Sequence, residues 1–134
     1  MQKDFDKWNE IKKSIQAKPD NFGMHEREIW WITFGVNIGV EIDGKHKTFE
    51  RPALVLRRFN RQMTWVLPTT TNGGDSRFYE NFLIGNRQYF VVLTQIRTVS
   101  TKRFLRKIGM ISREDFERIT QKLINFVKID ENPR

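Results

Sequence analysis

The first apolar pattern along the chain has the period of a helix. Four apolar residues recur at steps of three and four positions: Phe5, Trp8, Ile11 and Ile15. This spacing places them on one face of an amphipathic helix over about residues 2–16. Pro19 and Gly23 then break the pattern, because proline disfavours helical geometry in the residue before it and glycine permits a turn. The pattern therefore predicts a helical N-terminal appendage, residues 1–22, that docks on the rest of the chain.

From Glu28 onward the pattern changes to short runs rich in β-branched and aromatic residues, separated by turn residues. The runs cover residues 28–36, 51–59, 62–70, 77–85 and 89–99. No helical pattern long enough for a crossover lies between them, so the strands are expected to be mainly antiparallel. The predicted fold is mainly β (α+β), a small antiparallel barrel or sandwich.

A second helical pattern closes the chain. Ser112 has the character of an N-cap, with Asp115 three positions on as a variant of the capping box. The apolar residues that follow have helical spacing: Phe116, Ile119, Leu123 and Phe126. A C-terminal helix of about fifteen residues is predicted, ahead of a polar and frayed stretch at residues 130–134. With 134 residues the chain has the size of one domain.

Composition narrows the class of protein. The hydrophobic content of 38% and the aromatic content of 13% suffice for a real core. There are no cysteines, which excludes disulfides, thiolate metal sites and a cysteine nucleophile. The N-terminal stretch has no continuous apolar segment, so we expect no membrane association and a cytoplasmic location. A net charge of +8 favours a polyanionic partner, either nucleic acid or an acidic protein segment.

Most familiar catalytic patterns are absent from the sequence. His25 and His46 are the only histidines and neither has a partner at metal-ligand spacing, so no metal and no cofactor are expected. Cations are instead concentrated beside two strands: Arg51, Arg57, Arg58 and Arg61 near one, and Arg97, Lys102, Arg103, Arg106 and Lys107 near the other. Together with the hydroxyls of residues 69–71 they fit either a phosphate-binding groove or a solvated rim around the strand ends.

Seven segments, in this order and spacing over about residues 26–125, carry a resemblance to a known family. They are Glu28-Ile29-Trp30-Trp31, Glu41, Arg51-Pro52-Ala53-Leu54-Val55-Leu56, Leu67-Pro68-Thr69-Thr70-Thr71, Thr94-Gln95-Ile96-Arg97-Thr98-Val99, Lys102-Arg103 and Lys107-Ile108-Gly109. The combination resembles the PemK/MazF family of toxins from type II toxin–antitoxin systems. The match leaves out the N-terminal helix and the long excursion at residues 36–50.

The resemblance implies a fold, an activity and partners. The fold would be an SH3-like, CcdB-type antiparallel β-barrel over residues 26–128, with helices at both ends. The activity would be metal-independent endoribonuclease cleavage of single-stranded RNA by attack of a 2′-hydroxyl. The partners would be single-stranded RNA, a cognate acidic antitoxin protein and a second copy of the chain in a homodimer.

The resemblance also implies roles for three residues. Arg51 matches the family's catalytic arginine and would stabilise the charge of the phosphorane, with proton donation as a further option. Thr70 matches the family's threonine after the next strand and would hold the scissile phosphate. Glu41 matches the acidic residue of the loop before that arginine and is the candidate proton acceptor, with a loop carboxylate paired to a cation as the alternative.

Further residues are expected to bind RNA: Gln95, Arg97, Thr69, Thr71 and Trp31. Gln95 and Arg97 would contact bases or phosphates, although Arg97 would equally well brace the barrel. Trp31 would stack on a base, since single-stranded RNA is commonly held on aromatic faces. Adjacent strand residues point to opposite faces, so at least one of Trp30 and Trp31 is expected in the core.

The sequence departs from some relatives in two places. Where those relatives carry an Arg-x-Asp acid and base just before the glutamine, this chain has Val92-Leu93-Thr94, and Val40 stands where they have a histidine. Cleavage would therefore follow the Arg51 and Thr70 version of the site. Two other functions remain open: a non-nucleolytic toxin or regulator on the same fold, such as a gyrase inhibitor, and a nonspecific basic nucleic-acid-binding module.

Overall fold

Seven strands and two helices make up the part of the chain that the structure, a computed structural model, describes: residues 3–46 and 48–128. In chain order the elements are α1 (Phe5–Gln16), β1 (Glu28–Thr33), β2 (Glu50–Arg58), β3 (Met63–Thr70), β4 (Tyr79–Ile84), β5 (Arg87–Val92), β6 (Arg97–Ser100), β7 (Phe104–Met110) and α2 (Arg113–Val127). Single 3₁₀ turns at Leu93–Gln95 and Thr101–Arg103 flank β6. No helix among these residues is long and apolar enough to cross a lipid bilayer.

All strand pairs are antiparallel, and the sheet order is β4-β5-β3-β2-β1-β7. The remaining strand, β6, pairs with the first half of β3, while β5 pairs with its end. No ladder joins β4 to β7, yet the two edge strands approach: a Cβ added at Gly109 would lie 3.3 Å from the Ile84 side chain. The sheet is therefore barrel-like without being closed, and the predicted mainly β antiparallel fold with helices at both ends is confirmed.

The central strands are buried on both faces. One face packs a cluster that includes Trp30, Ile32, Ala53, Val55, Val66 and Phe104. The opposite face packs a second cluster, with Ile29, Leu54, Leu67, Phe82, Val91 and the α2 residue Ile119. Alternate residues of the same strands thus enter different clusters, as the two-residue period of a strand requires. This double burial explains the uninterrupted apolar run at residues 53–56. It also makes β2 a rigid support for the side chains at the two ends of the strand.

The two helices differ in how they contribute to burial. Asp4 caps α1 by accepting a hydrogen bond from Lys7 N, so the helix begins at Phe5, later than the spacing predicts. Phe5, which the spacing places on the apolar face, is 48% exposed. Trp8 and Ile15 are buried and form a third, smaller cluster with Phe49. In α2 the Ser112 hydroxyl accepts from Asp115 N as predicted. The predicted frayed stretch at residues 130–134 lies outside the described residues.

Two predicted features of the sheet differ from the structure. Residues 89–99 do not form one strand, because β5 pairs Val91 with Thr69 whereas β6 pairs Arg97 with Val66. Between these pairs β3 advances three residues and its partner advances six, so the Leu93–Gln95 turn takes up the excess. The other difference is that the sequence pattern predicts no strand where β7 lies. The middle residues of β7 are exposed cations, so its sequence shows no clear alternation.

A buried carboxylate joins the start of β1 to the edge of the sheet. Glu28 is 3% exposed and accepts hydrogen bonds from His25 N (2.7 Å) and Trp30 Nε1 (3.0 Å). Its other oxygen lies 2.8 Å from Lys107 Nζ on β7. Burial raises the pKa of Glu28, but the hydrogen bonds from Lys107, Trp30 and His25 outweigh it and hold the pKa below its ordinary 4.5.

We expect Glu28→Gln to lower the free energy of unfolding by about 2 kcal/mol at neutral pH, because the amide cannot pair with Lys107. A carboxylate whose pKa is depressed by folding stabilises fully above its unfolded pKa and loses that contribution as the pH falls through the folded pKa. Urea denaturation of both proteins should therefore give a difference that is full at pH 7 and shrinks below about pH 4.5. Glu10→Gln, at an exposed position on α1, is the control, and an equal loss there would contradict the assignment.

Candidate functional site

Arg51 and Thr70 lie at neighbouring strand ends on the same side of the sheet. β2 and β3 pair Leu54 with Leu67 and Ala53 with Pro68. Continuing this antiparallel register by two residues places Arg51 opposite Thr70, and directly opposed residues have side chains on one face within about 5 Å. The two residues also line one cleft of about 170 Å³.

The Arg51 guanidinium is held by backbone carbonyls. It is 9% exposed; Nε donates to Asp43 O at 2.7 Å and Nη1 donates to Thr69 O at 3.2 Å. These bonds use two of the five N–H groups of an arginine and fix its plane. Burial lowers the pKa of Arg51, and the nearby Asp43 carboxylate acts in the opposite direction.

The cleft that contains Arg51 and Thr70, called the Arg51 cleft below, has more cations than carboxylates among its lining residues. It is lined by Trp31, Lys45, His46, Glu50, Arg51, Pro52, Thr69, Thr70, Thr71, Arg87, Tyr89 and Ile108. The one carboxylate among these lining residues, Glu50, is already paired with Arg106 at 2.9 Å. Lys45, Arg51 and Arg87 thus leave the cleft with a surplus of positive charge. An anion of phosphate type would reduce that surplus.

The three predicted threonines occupy different environments. Thr69 is 1% exposed, and its hydroxyl donates to Pro52 O at 2.8 Å, so this hydroxyl is engaged inside the sheet. Thr70 is half-buried, and its hydroxyl accepts from Asn72 N at 3.2 Å, which leaves its proton to be donated elsewhere. Thr71 is exposed at the rim of the cleft. Thr70 is therefore the best placed of the three hydroxyls for a ligand.

The two tryptophans of β1 point to opposite faces. Trp30 is 8% exposed in the core and donates to Glu28, whereas Trp31 is half-buried and lines the Arg51 cleft. The Arg106 guanidinium lies 4.9 Å from the centroid of a Trp31 ring. One face of Trp31 is thus covered by a cation.

A second cleft, of about 300 Å³, contains the other predicted site residues. Glu41, Gln95 and Arg97 line it, together with Asn37, Ile42, Thr94 and Ile96. The structure thus divides the predicted residues between two clefts. Glu41 does not line the Arg51 cleft; its carboxylate accepts from Ile38 N at 3.0 Å.

Gln95 and Arg97 also have structural contacts in this second cleft. The Gln95 amide donates to Val40 O at 3.0 Å and accepts from Ile42 N at 3.1 Å, so it is hydrogen-bonded to the backbone on both sides of Glu41. The Arg97 guanidinium lies 5.3 Å from the centroid of the buried Phe34 ring. Burial lowers the pKa of Arg97, and the Glu41 carboxylate opposes that shift.

A single loop separates the two clefts. This Asp43 loop, residues 34–46, contributes Glu41 to the second cleft, and Lys45 and His46 to the Arg51 cleft. Arg103 lies beneath it and donates to Thr33 O at 3.0 Å. Burial, followed by the positive charge of Arg97, lowers the pKa of Arg103 to about 10.

Several residues of the Arg51 cleft have no individual signal in the sequence: Lys45, His46, Arg87 and Tyr89. Lys45 and His46 come from the Asp43 loop, whereas Arg87 and Tyr89 come from β5, and the pairing of β5 with the end of β3 brings these last two beside Thr70. The cations concentrated in the sequence, in contrast, do not share one groove. Lys107 pairs with Glu28, and Lys102 donates to the carbonyl of Gln16 on the α1 side.

No group of three or more histidine, aspartate and glutamate side chains in residues 3–46 and 48–128 is arranged to hold a metal ion. The side chains that line the Arg51 cleft include three cations, the Thr70 hydroxyl, the His46 imidazole and the Trp31 ring.

Comparison with known proteins gives one family. The model of the PemK-like, MazF-like toxin of type II toxin–antitoxin systems matches residues 25–127. No curated protein sequence matches the chain. Among solved structures, MazF (Form-I) from Deinococcus radiodurans is similar with a TM-score of 0.65 and 16% identity, over 80% of this chain and 98% of that one.

Two further solved structures share the fold. The MazE–MazF structure (Form-II) from Deinococcus radiodurans gives a TM-score of 0.59 at 13% identity, over 82% of this chain and 100% of that chain. Mycobacterium tuberculosis toxin MazF-mt6 gives 0.55 at 18% identity, over 78% and 99% respectively. These matches cover nearly the whole of each relative, so the additional length of this chain lies outside the shared fold.

Proposed function

This chain belongs to the family of PemK-like, MazF-like toxins of type II toxin–antitoxin systems, and on that premise we propose that it is an endoribonuclease that cleaves single-stranded RNA at the Arg51 cleft without a metal ion. The observation that carries the proposal is the bonding of Arg51: among residues 3–46 and 48–128 no carboxylate forms a salt bridge with it, and the nearby Asp43 carboxylate is paired with Lys3. A buried cation in a structural role is normally paired with a carboxylate. Arg51 is bonded instead to two neutral carbonyls.

The reaction requires three chemical functions. The 2′-oxygen attacks the adjacent phosphorus, so a bond from phosphorus to O2′ forms while the bond to O5′ breaks, leaving a cyclic phosphate and a 5′-hydroxyl. A base must accept the proton of the 2′-hydroxyl, cations must stabilise the phosphorane, and the departing O5′ must gain a proton.

Arg51 and Thr70 supply the phosphate-binding part of this chemistry. The remaining N–H groups of the fixed Arg51 guanidinium are preorganised donors for non-bridging phosphate oxygens, and Thr70 Oγ1 adds one more donor from the neighbouring strand. Because an arginine remains protonated far above neutral pH, Arg51 serves as a charge stabiliser and not as the acid, and the departing O5′ takes its proton from water at the open cleft. Lys45 and Arg87 lie in the same cleft and bind the flanking phosphates.

The carboxylates near Arg51 are engaged by other groups or lie in the other cleft. Asp43 is paired with Lys3 and accepts from Asn37 N, Glu50 is engaged by Arg106, and Glu41 lies across the Asp43 loop in the second cleft. His46 lines the Arg51 cleft with an exposed imidazole, a common general base in proteins. We therefore propose His46 as the base and retain Glu41 as the competing assignment.

The other predicted RNA-binding residues suit neighbouring nucleotides. Trp31 and the rim residue Thr71 lie in the Arg51 cleft, where the open side of the Trp31 ring suits a base. Arg97 and Gln95 lie in the second cleft, which suits a base or phosphate next to the scissile linkage. Thr69 acts indirectly, because its carbonyl orients Arg51.

Two partners are proposed as well. The solved MazE–MazF structure and the family's membership of toxin–antitoxin systems support a cognate antitoxin, and the net charge of +8 suits an acidic one. Such a partner would inhibit RNA cleavage in a salt-dependent way, which an inhibition assay would measure.

The cytoplasm, where messenger RNA is available, is the proposed location.

A homodimer is supported by an apolar groove between α2 and the sheet. Trp65 is 44% exposed, Ile124 47% and Val127 80%, and all three line this groove. Neighbouring exposed apolar residues on one surface commonly mark a protein interface.

Arg51→Ala is expected to reduce the rate of RNA cleavage by about a thousandfold, because it removes the main donor to the phosphorane. Arg51→Lys should recover little, since a lysine cannot bridge both carbonyls and a phosphate. Cleavage of an unstructured RNA, measured in EDTA with a fluorescence-quenched substrate, is the assay.

Arg57→Ala is the matched control for that assay, because Arg57 is an exposed arginine at the opposite end of the same strand. Undiminished cleavage by the Arg51→Ala protein would remove the assignment. A wild-type protein that is toxic but leaves RNA intact would favour the non-nucleolytic alternative.

His46→Gln is expected to lower the cleavage rate by about a hundredfold, whereas Glu41→Gln should lower it by less than about threefold. The physical reason is position, since only His46 lines the cleft that holds Arg51. Single-turnover rates across a pH series provide the measurement. A reversed order of the two variants would return the role of base to Glu41.

Ile124→Glu is expected to convert a homodimer into a monomer, because a charge would be buried without a partner at the interface. Sedimentation equilibrium reports the mass directly. Gln121→Glu introduces the same charge at another exposed position of α2 and should leave the mass unchanged. A monomeric wild-type protein would disprove the homodimer.

A further inference from the structure

The N-terminal segment that lies outside the family match packs on the loop that holds Arg51. The match begins at residue 25, whereas α1 ends at Gln16. Trp8 is 5% exposed and meets the Phe49 ring edge-on at 5.8 Å between centroids. Gly35 has a φ of +80°, and a Cβ there would lie 2.2 Å from the Trp8 ring. Only glycine permits this approach, so Trp8 sits directly against the first part of the Asp43 loop.

Lys3 extends the contact from α1 to the residue that holds Arg51. Its Nζ lies 3.1 Å from one Asp43 carboxylate oxygen and 3.3 Å from the other, and it also donates to the Asn37 carbonyl. The Asp43 carboxylate in turn accepts from Asn37 N at 2.7 Å, while the Asp43 carbonyl accepts from Arg51 Nε at 2.7 Å. One residue of the loop therefore separates the N-terminal lysine from the candidate catalytic arginine.

The Asp43 loop depends on such polar contacts for its position. Phe34 and Val36 anchor the start of the loop in the core clusters, but Ile38 is 77% exposed and Val40 is 92% exposed, so that between residues 37 and 46 only Ile42 packs on a core cluster. On the side facing the second cleft, Gln95 bonds the backbone of Val40 and Ile42. Lys3 and Trp8 hold the other side. Ordering an exposed loop costs about 1 to 2 kcal/mol of conformational entropy per residue, and each such contact offsets part of it.

We propose that the N-terminal segment is a positioning clamp for Arg51, in which Lys3 and Trp8 hold the Asp43 loop so that the Asp43 carbonyl orients the guanidinium. The role assigned to Arg51 rests on the proposed ribonuclease function. Lys3 and Trp8 act through Asp43 and touch no reacting atom, so both are positioning residues. A clamp of this kind affects the orientation of a donor that acts in the transition state, and it therefore changes kcat more than KM.

The decisive variant is Lys3→Met, which keeps the length of the side chain and removes its charge. We expect a fall in kcat of about tenfold with KM within about twofold, since a small misplacement of a catalytic group is costly. Lys3→Arg preserves the ion pair and should keep kcat close to that of the wild type. Lys13→Met, at an exposed position of α1, is the matched control and should change neither constant.

Amide hydrogen exchange, followed by mass spectrometry, measures how well the Asp43 loop is held, independently of activity. In the Lys3→Met protein the amides of residues 37–45 should exchange about tenfold faster, while those of β2 and β3 keep their protection. Trp8→Leu should produce the same pattern more strongly; if that variant fails to fold, Lys3→Met alone decides.

Three outcomes separate this proposal from the ribonuclease assignment. Unchanged exchange and unchanged kcat in Lys3→Met would overturn the clamp, and so would a rise in kcat, which would make the segment an inhibitory lid. If the wild-type protein does not cleave RNA, the proposed function fails. In that case faster exchange of the loop in Lys3→Met still supports the clamp, and unchanged exchange overturns it.

Discussion

The site depends on a guanidinium held between two backbone carbonyls. Asp43 O and Thr69 O accept from Arg51 and fix it at the junction of a loop and two strand ends, but neither carbonyl neutralises its charge. Keeping a largely buried cation without a carboxylate bonded to it is unfavourable in an otherwise apolar sheet. An anionic ligand at the cleft removes that disadvantage. In the proposed function that ligand is a phosphodiester, whose two non-bridging oxygens accept from the N–H groups of Arg51 that remain.

The sheet makes this arrangement possible because its central strands are packed on both faces. Residues 53–56 are buried on both faces, and Glu28 ties β1 to β7 through Lys107. The ends of β2 and β3 therefore present Arg51 and Thr70 at a constant separation, a condition for preorganised electrostatic stabilisation. The loop beside them is the adjustable part. Its geometry comes from Gln95 on one side and from α1 on the other.

The Asp43 loop also connects the two clefts. It carries residues that line each of them, Glu41 in the second cleft and Lys45 and His46 in the Arg51 cleft. The family model matches residues 25–127, whereas the proposed clamp comes from the segment before residue 25.

The sequence by itself determined the two helices and most of the strands, because alternation and capping are local properties of the chain. The order of its motifs indicated the family, and with it the pairing of Arg51 with Thr70. The sequence could not show that Glu41 and Gln95 lie in a second cleft, or that His46 and Arg87 join Arg51. Those placements depend on the path of the Asp43 loop and on the three extra residues between β5 and β6, which shift register against β3. Such features are settled by long-range packing, so only the tertiary structure decides them.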